Sequence, residues 1–112
     1  MLYHRDVNLP PQLKKLKKQI IPDLAYSYHA QNQAYNKGII LPDKLEYSGH
    51  NIIEAEIIDS IVYKLVVRVE YEHNSDYDIC LVIINNNGIL IKTLWLNNKT
   101  DTHKTLDKSN YL

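Results

Sequence analysis

Phenylalanine is absent from this chain, and its aromatic share rests on nine tyrosines and one tryptophan, Trp95. Cysteine occurs once, at Cys80, so no intrachain disulfide can form and the small secreted frameworks built on cysteine pairs are excluded. Only three glycines occur, Gly38, Gly49 and Gly88. They are too few and too far apart for a GxGxxG or GxxxxGKS phosphate loop, which argues against nucleotide-dependent chemistry. The histidines (His4, His29, His50, His73 and His103) are scattered, with no HExxH, no CxxC and no pair at helical ligand spacing. Neither a metal nor another cofactor is expected from such a pattern. No apolar run reaches the roughly 18 residues that would cross a bilayer, and MLYHRDVNLPP lacks the apolar centre of a signal peptide. With a lone cysteine inside an apolar stretch, these absences predict a cytoplasmic protein without membrane contact. An excess of charge is missing as well: 13 Lys/Arg balance 13 Asp/Glu, far from the strongly basic composition of a dedicated DNA binder.

What is present is ordinary globular material. With 112 residues, 45% hydrophobic and 23% charged, the chain is long enough for one domain, residues 1–112, with a core of its own. Its charge is unevenly placed. Residues 1–44 carry seven Lys/Arg against three Asp, residues 45–90 two against eight, and residues 91–112 four against two. A basic front and tail around an acidic middle suits a polyanion gripped by the ends, or a basic partner docked at the centre.

Hydrophobic periodicity changes once along the chain. In PQLKKLKKQII, the apolar spacing of Leu13, Leu16 and Ile20 after Pro10-Pro11 predicts a first helix ending at Pro22, with Lys14, Lys15, Lys17 and Lys18 around its polar side. A second helix is predicted over Ser27–Lys37, with Ser27 as N-cap, Gly38 just past its end, and an inner face of Leu24, Tyr28, Ala30, Ala34 and Tyr35. From about Ile52 the period becomes two. NIIEAEIID, YKLVVRVEY, DICLVII and ILIKTLWLN read as four successive strands, separated by Asp59-Ser60, HNSD and the Asn85–Gly88 hairpin turn. The predicted fold is α+β: two N-terminal helices packed on a four-stranded antiparallel meander sheet.

The strand YKLVVRVEY is pivotal because its two faces differ. Leu65, Val67, Val69 and Tyr71 point one way, and Lys64, Val66, Arg68 and Glu70 the other. Glu54 and Glu56 from the preceding strand, and Thr93 and Trp95 from the last, are expected on the charged side. In the last strand Ile89, Ile91, Thr93 and Trp95 should share one face, with Leu90, Lys92, Leu94 and Leu96 on the other. Cleaving RNA without a metal needs a base for the 2′-hydroxyl, an acid for the leaving oxygen and a fixed cation for the phosphate. Histidine titrates in the right range for the first two roles, and arginine's planar fork suits the third. The candidate catalytic set is therefore His29, Glu54, Lys64, Arg68 and His103. Lys14, Lys15, Lys18, Thr93, Trp95, Lys104 and Thr105 are candidate substrate contacts, Trp95 as a stacking surface for a base. Each group has a plainer alternative: ion pairing of Lys64 and Arg68 with Glu54, Glu56 or Glu70 across the sheet, a core position for Trp95, a helix-start role for His29, and a solvated face for the lysines.

The segments YSYHAQNQAYNKGI, IIEAEI with YKLVVRVEY, and ILIKTLWLN followed by DTHKTLD resemble, over residues 24–112, the RelE/barnase/EndoU/colicin superfamily of small metal-independent ribonucleases, toxin-like or phage-encoded members above all. The resemblance implies RNA cleavage to a 2′,3′-cyclic phosphate without a cofactor, on targets such as tRNA or mRNA. It implies His29 and His103 as acid and base, Lys64 and Arg68 as phosphate stabilisers, and Glu54 as an alternative base or orienter. RNA is then the expected partner, with an antitoxin or host protein as a further one, and the oligomeric state is left open. The neutral overall charge departs from the basic ribosome-dependent members. A second function class follows from the acidic middle: a non-enzymatic phage or mobile-element protein that binds and inhibits a host defence protein.

Overall fold

In the computed structural model, residues 3–6, 10–85 and 87–101 are described. The period-two region forms the four strands expected of it: β4 (Ile52–Ile58), β5 (Ile61–Glu70), β6 (Tyr77–Asn85) and β7 (Ile89–Asn98), all antiparallel neighbours. Between β4 and β5 the turn residues Asp59 and Ser60 both take positive φ, 51° and 67°. That is the geometry whose twist matches a two-residue hairpin. Asn87 and Gly88 do the same between β6 and β7.

A fifth strand, β1 (Tyr3–Asp6), lies antiparallel to β4, so the sheet order is β1-β4-β5-β6-β7 and β5 is central. The expected first helix shrinks to a single turn, α1 (Pro11–Lys14). Beyond it the chain extends into β2 (Gln19–Ile21), which pairs with β3 (Leu45–Tyr47) in a separate two-stranded sheet. Here the β-branched pair Ile20-Ile21 follows its cross-strand partners rather than the helical spacing of the leucines. Leu13 and Leu16 still reach the core, as their spacing implied.

The second helix, α2 (Tyr28–Lys37), forms where expected. The Ser27 hydroxyl accepts the Ala30 N–H at 3.0 Å and donates to the Lys92 carbonyl at 2.6 Å, so it caps the helix and ties it to β7 in one group. Gly38 ends α2 in the left-handed region at φ 67°. The inner face is narrower than predicted. Ala30 and Ala34, one turn apart, are buried, whereas Tyr28 and Tyr35 stand out in solvent at 79% and 87% exposure. Two alanines allow the helix to lie close to the sheet, and the larger rings turn outward.

The two sheet faces carry two cores. On the helix side Ala30 and Ala34 cluster with Ile52, Ala55, Val67, Ile79, Leu81, Ile83, Ile91 and Leu94. On the other side Val66, Cys80, Val82 and Trp95 form a smaller cluster, with Ile53 against it. The nearly continuous apolar run of β6 thus serves both faces in turn. Three register shifts interrupt the ladders; besides one between Glu56 and Ile57, two alter the simple parity. One between Ile52 and Glu54 brings Ile53 to the second cluster. The other, where the pairing steps from Val82↔Thr93 to Ile83↔Ile91, separates Ile91 from Trp95, so the single face expected for those two is corrected. Among the described residues no helix is long and apolar enough to cross a membrane.

Candidate functional site

The sheet face away from α2 carries four of the candidate site residues, Glu54, Lys64, Arg68 and Trp95. Glu54 stands opposite Val66 in the β4–β5 ladder, and Glu56 opposite Lys64. Arg68 follows two residues beyond Val66 on the same strand face, opposite Cys80, which is itself opposite Trp95. Glu54 is directly opposed to Val66 and so lies within about 5 Å of it at Cβ, while Lys64 and Arg68 flank Val66 two residues to either side along β5.

The face is closed and charged at once. Glu54 is 2% exposed and Glu56 8%. Lys64 Nζ lies 2.9 Å from Glu56 Oε1. Arg68 Nε donates to Asp78 Oδ2 at 2.8 Å, and its Nη2 donates to the carbonyls of Asn98 and Lys99 at 2.9 and 3.4 Å. The guanidinium thereby joins β5, β6 and the end of β7. Lys99 continues the network outward, 3.0 Å from Glu70 and 3.8 Å from Asp78. Cross-strand ion pairing, the plainer expectation for Lys64 and Arg68, is therefore present, with Asp78 as a partner the sequence reading did not single out. Its parity on β6 was the available clue, since Asp78, Cys80 and Val82 alternate onto this face.

No protein-family model, curated protein or solved structure matches this chain. The site's chemistry has to be read from its own atoms.

Trp95 is only 5% exposed and packs with Val66, Cys80 and Val82, so its ring is part of the second core and presents no open stacking surface. Burial pushes the Cys80 thiol up to about 12, against the opposing pull of Arg68 and with the help of Asp78 and Asp101. A thiol in that state is inert packing. Thr93 is buried, and its hydroxyl donates to Gln33 Oε1 on α2 at 2.5 Å, which commits it to anchoring the helix.

The remaining predicted residues are elsewhere. His29 is exposed in the first turn of α2, the helix whose buried side faces the opposite side of the sheet from Arg68. Lys14, Lys15 and Lys18 are exposed on that same layer, with Lys18 3.1 Å from Glu46. His103, Lys104 and Thr105 lie outside the described residues. The geometry places Glu54, Lys64 and Arg68 on one sheet face, Lys64 paired toward β4 and Arg68 toward β6, and leaves His29 and the lysines apart from them.

A separate cleft of about 630 Å³ opens at the end of β5, against the chain that leads into β3. Leu45, Val69 and Ile79 contribute to its apolar lining, and Glu46, Glu70 and Glu72 to its polar lining. Nothing in the sequence pattern marked it, because its two walls are distant along the chain.

Proposed function

We propose that the protein is a small metal-independent ribonuclease that works through the charged face of its sheet. The observation that supports this reading is the grouping of Glu54, 2% exposed, with Lys64 and Arg68 around Val66. Burying several ionised groups costs stability even when they are paired, and such clusters concentrate where chemistry requires them. In the reaction, the Glu54 carboxylate takes the proton of an RNA 2′-hydroxyl. The 2′-oxygen attacks phosphorus while Lys64 and Arg68 stabilise the added charge on the non-bridging oxygens. The bond to the 5′-oxygen breaks as the new one forms, leaving a 2′,3′-cyclic phosphate, and the departing oxygen takes a proton from an acid. His103 is assigned that role on the chemistry of imidazole. Glu56 and Asp78 act as positioning residues for the two cations. The substrate class is single-stranded RNA or tRNA.

The experiment is cleavage of total RNA and of tRNA in EDTA, with the cyclic phosphate ends identified. Glu54→Gln and Arg68→Ala should each lower the rate by about tenfold or more, the usual scale for losing a base or a charge stabiliser. Circular dichroism verifies that both variants remain folded. Absence of cleavage by the wild-type protein would reject the reading.

One observation favours a second reading, that of a non-enzymatic protein binding a host protein. Lys64 and Arg68 are each already neutralised by a carboxylate within 3 Å, and Trp95 is covered. That reading predicts no RNA cleavage, together with a stable complex with one protein partner.

A further inference from the structure

The cleft beside β5 coincides with a gap in the sheet. Pairing between β4 and β5 stops at Ile52↔Val67, yet β5 runs on to Glu70. Before Ile52 the chain turns aside in a 3-10 turn, Gly49–Asn51. Along a strand, the N–H and C=O of successive residues point to alternate sides. The Arg68 carbonyl points to the β4 side, where it accepts the Asn51 side-chain amide at 3.2 Å. The Tyr71 N–H points to the β6 side, where it donates to the Tyr77 carbonyl at 3.3 Å. Glu70 has the parity of Arg68, so its N–H and C=O face the position that β4 has vacated. Among the described residues no strand occupies that position. Exposed strand edges are templates for a further strand.

The surroundings of this edge define what would fit. The cleft holds about 630 Å³, within the usual size of a binding site. Its apolar lining includes Leu45 and Ile79, which are 2% and 1% exposed, together with Val69 and with Ile40, which is 53% exposed. Glu46, Glu70 and Glu72 are among its lining residues, against one lysine, Lys44. Two of the three already hold ammonium groups of the chain itself: Lys18 on Glu46 at 3.1 Å and Lys99 on Glu70 at 3.0 Å. Both pairs are solvent-exposed, with side-chain exposures of 64% and 43%, and 40% and 72%. Such pairs are weak and exchange readily for an incoming cation.

We infer that this groove binds an extended segment of a partner protein, with alternating apolar and lysine or arginine side chains, as an added strand on the Glu70 edge of β5. Backbone hydrogen bonds supply the register, the apolar residues enter the groove, and the basic residues meet the carboxylates. None of Glu54, Lys64 or Arg68 lines the groove, and Glu70 meets their network only at its outer end, through Lys99, so the inference does not depend on the ribonuclease reading.

The test uses fluorescence anisotropy with a labelled eight-residue peptide of alternating lysine and valine. Its controls are the glutamate–valine counterpart and a lysine–valine peptide N-methylated at alternate residues. The lysine–valine peptide should bind saturably, at least tenfold tighter than either control, and should slow hydrogen exchange at the Glu70 amide. A Glu46→Gln/Glu70→Gln/Glu72→Gln variant should lose at least tenfold in affinity with its thermal transition retained. No saturable binding up to millimolar peptide would overturn the inference. So would equal binding of the N-methylated peptide, or unaltered exchange at Glu70. Concentration-dependent self-association competing with the peptide would reassign the groove to a second copy of the chain.

Discussion

Removing Asp78 should destabilise the protein far more than removing Lys99, although both belong to one network. Asp78 is the counterion of Arg68 at 2.8 Å, with side-chain exposures of 18% and 14%. Deleting one partner of a fully buried pair costs about 3–5 kcal/mol, because the other charge remains desolvated. Here the sites retain some exposure and Arg68 keeps its bond to the Asn98 carbonyl, so Asp78→Ala should cost about 2–3 kcal/mol. Lys99 meets Glu70 at 3.0 Å in the open, and Lys99→Ala should cost about 0.5 kcal/mol or less. For a domain of this size total stability is about 5–15 kcal/mol, so the first change removes a large fraction of it. Urea unfolding followed by the fluorescence of Trp95, which packs on the same sheet face, reads both variants. With slopes of about 1–3 kcal/mol/M, Asp78→Ala should shift the midpoint by about 1 M or more. The Arg68→Ala/Asp78→Ala cycle should give a coupling on the order of 2 kcal/mol, above the ~0.2–1 kcal/mol of exposed pairs. An Asp78→Ala cost below about 0.5 kcal/mol, or a coupling no larger than that of Lys99 with Glu70, would refute the reasoning.

Two further outcomes test the close packing. Gly49→Ala should cost about 2 kcal/mol or more, because a Cβ there collides with the Leu13 and Lys14 carbonyl oxygens and lies 2.6 Å from the Lys14 carbonyl carbon, all of it backbone. Gly38→Ala meets nothing within 4 Å and should cost only the ~1 kcal/mol of a left-handed residue; urea midpoints in the reverse order would contradict this account. Cys80 should react with a thiol reagent at pH 8 on the order of a hundredfold more slowly in native than in urea-unfolded protein, and equal rates would show that its burial is wrong. Since folding raises the Cys80 pKa from 9.0 to about 12, its contribution is complete below pH 9 and is lost as pH climbs toward 12. Tyr26 and Tyr47, also raised by burial, add to the same alkaline loss, to be followed by denaturation midpoints from pH 8 to 11.

Local patterns and distant pairings differed in how clearly the sequence announced them. The meander was readable because each of its turns is short and its strands alternate, and α2 because Ser27 and Gly38 mark its ends. β1 was not, since its partner β4 lies about fifty residues away and four residues carry little periodicity. The lysine-rich segment misled because leucine spacing outlasts the helix: Gln19–Ile21 answers to β3, a contact no local window contains. The charged face, with Trp95 on it, followed from parity in β5 and β7, but the departure of Ile91 to the helix side depended on a register shift inside β7, which alternation alone does not show.

β5 divides its labour by odd and even positions, with Val67 on the helix side and Lys64, Val66 and Arg68 on the other. A substitution on the charged side therefore leaves the aliphatic side in place, although one that breaks the Arg68–Asp78 pair still costs stability. Gaining or losing one residue within the strand is another matter, since it would exchange the two sets wholesale and drive Arg68 into the space of Val67. A change of letter on that face is felt only by its own ion pairs, whereas a change of length is felt by both cores at once.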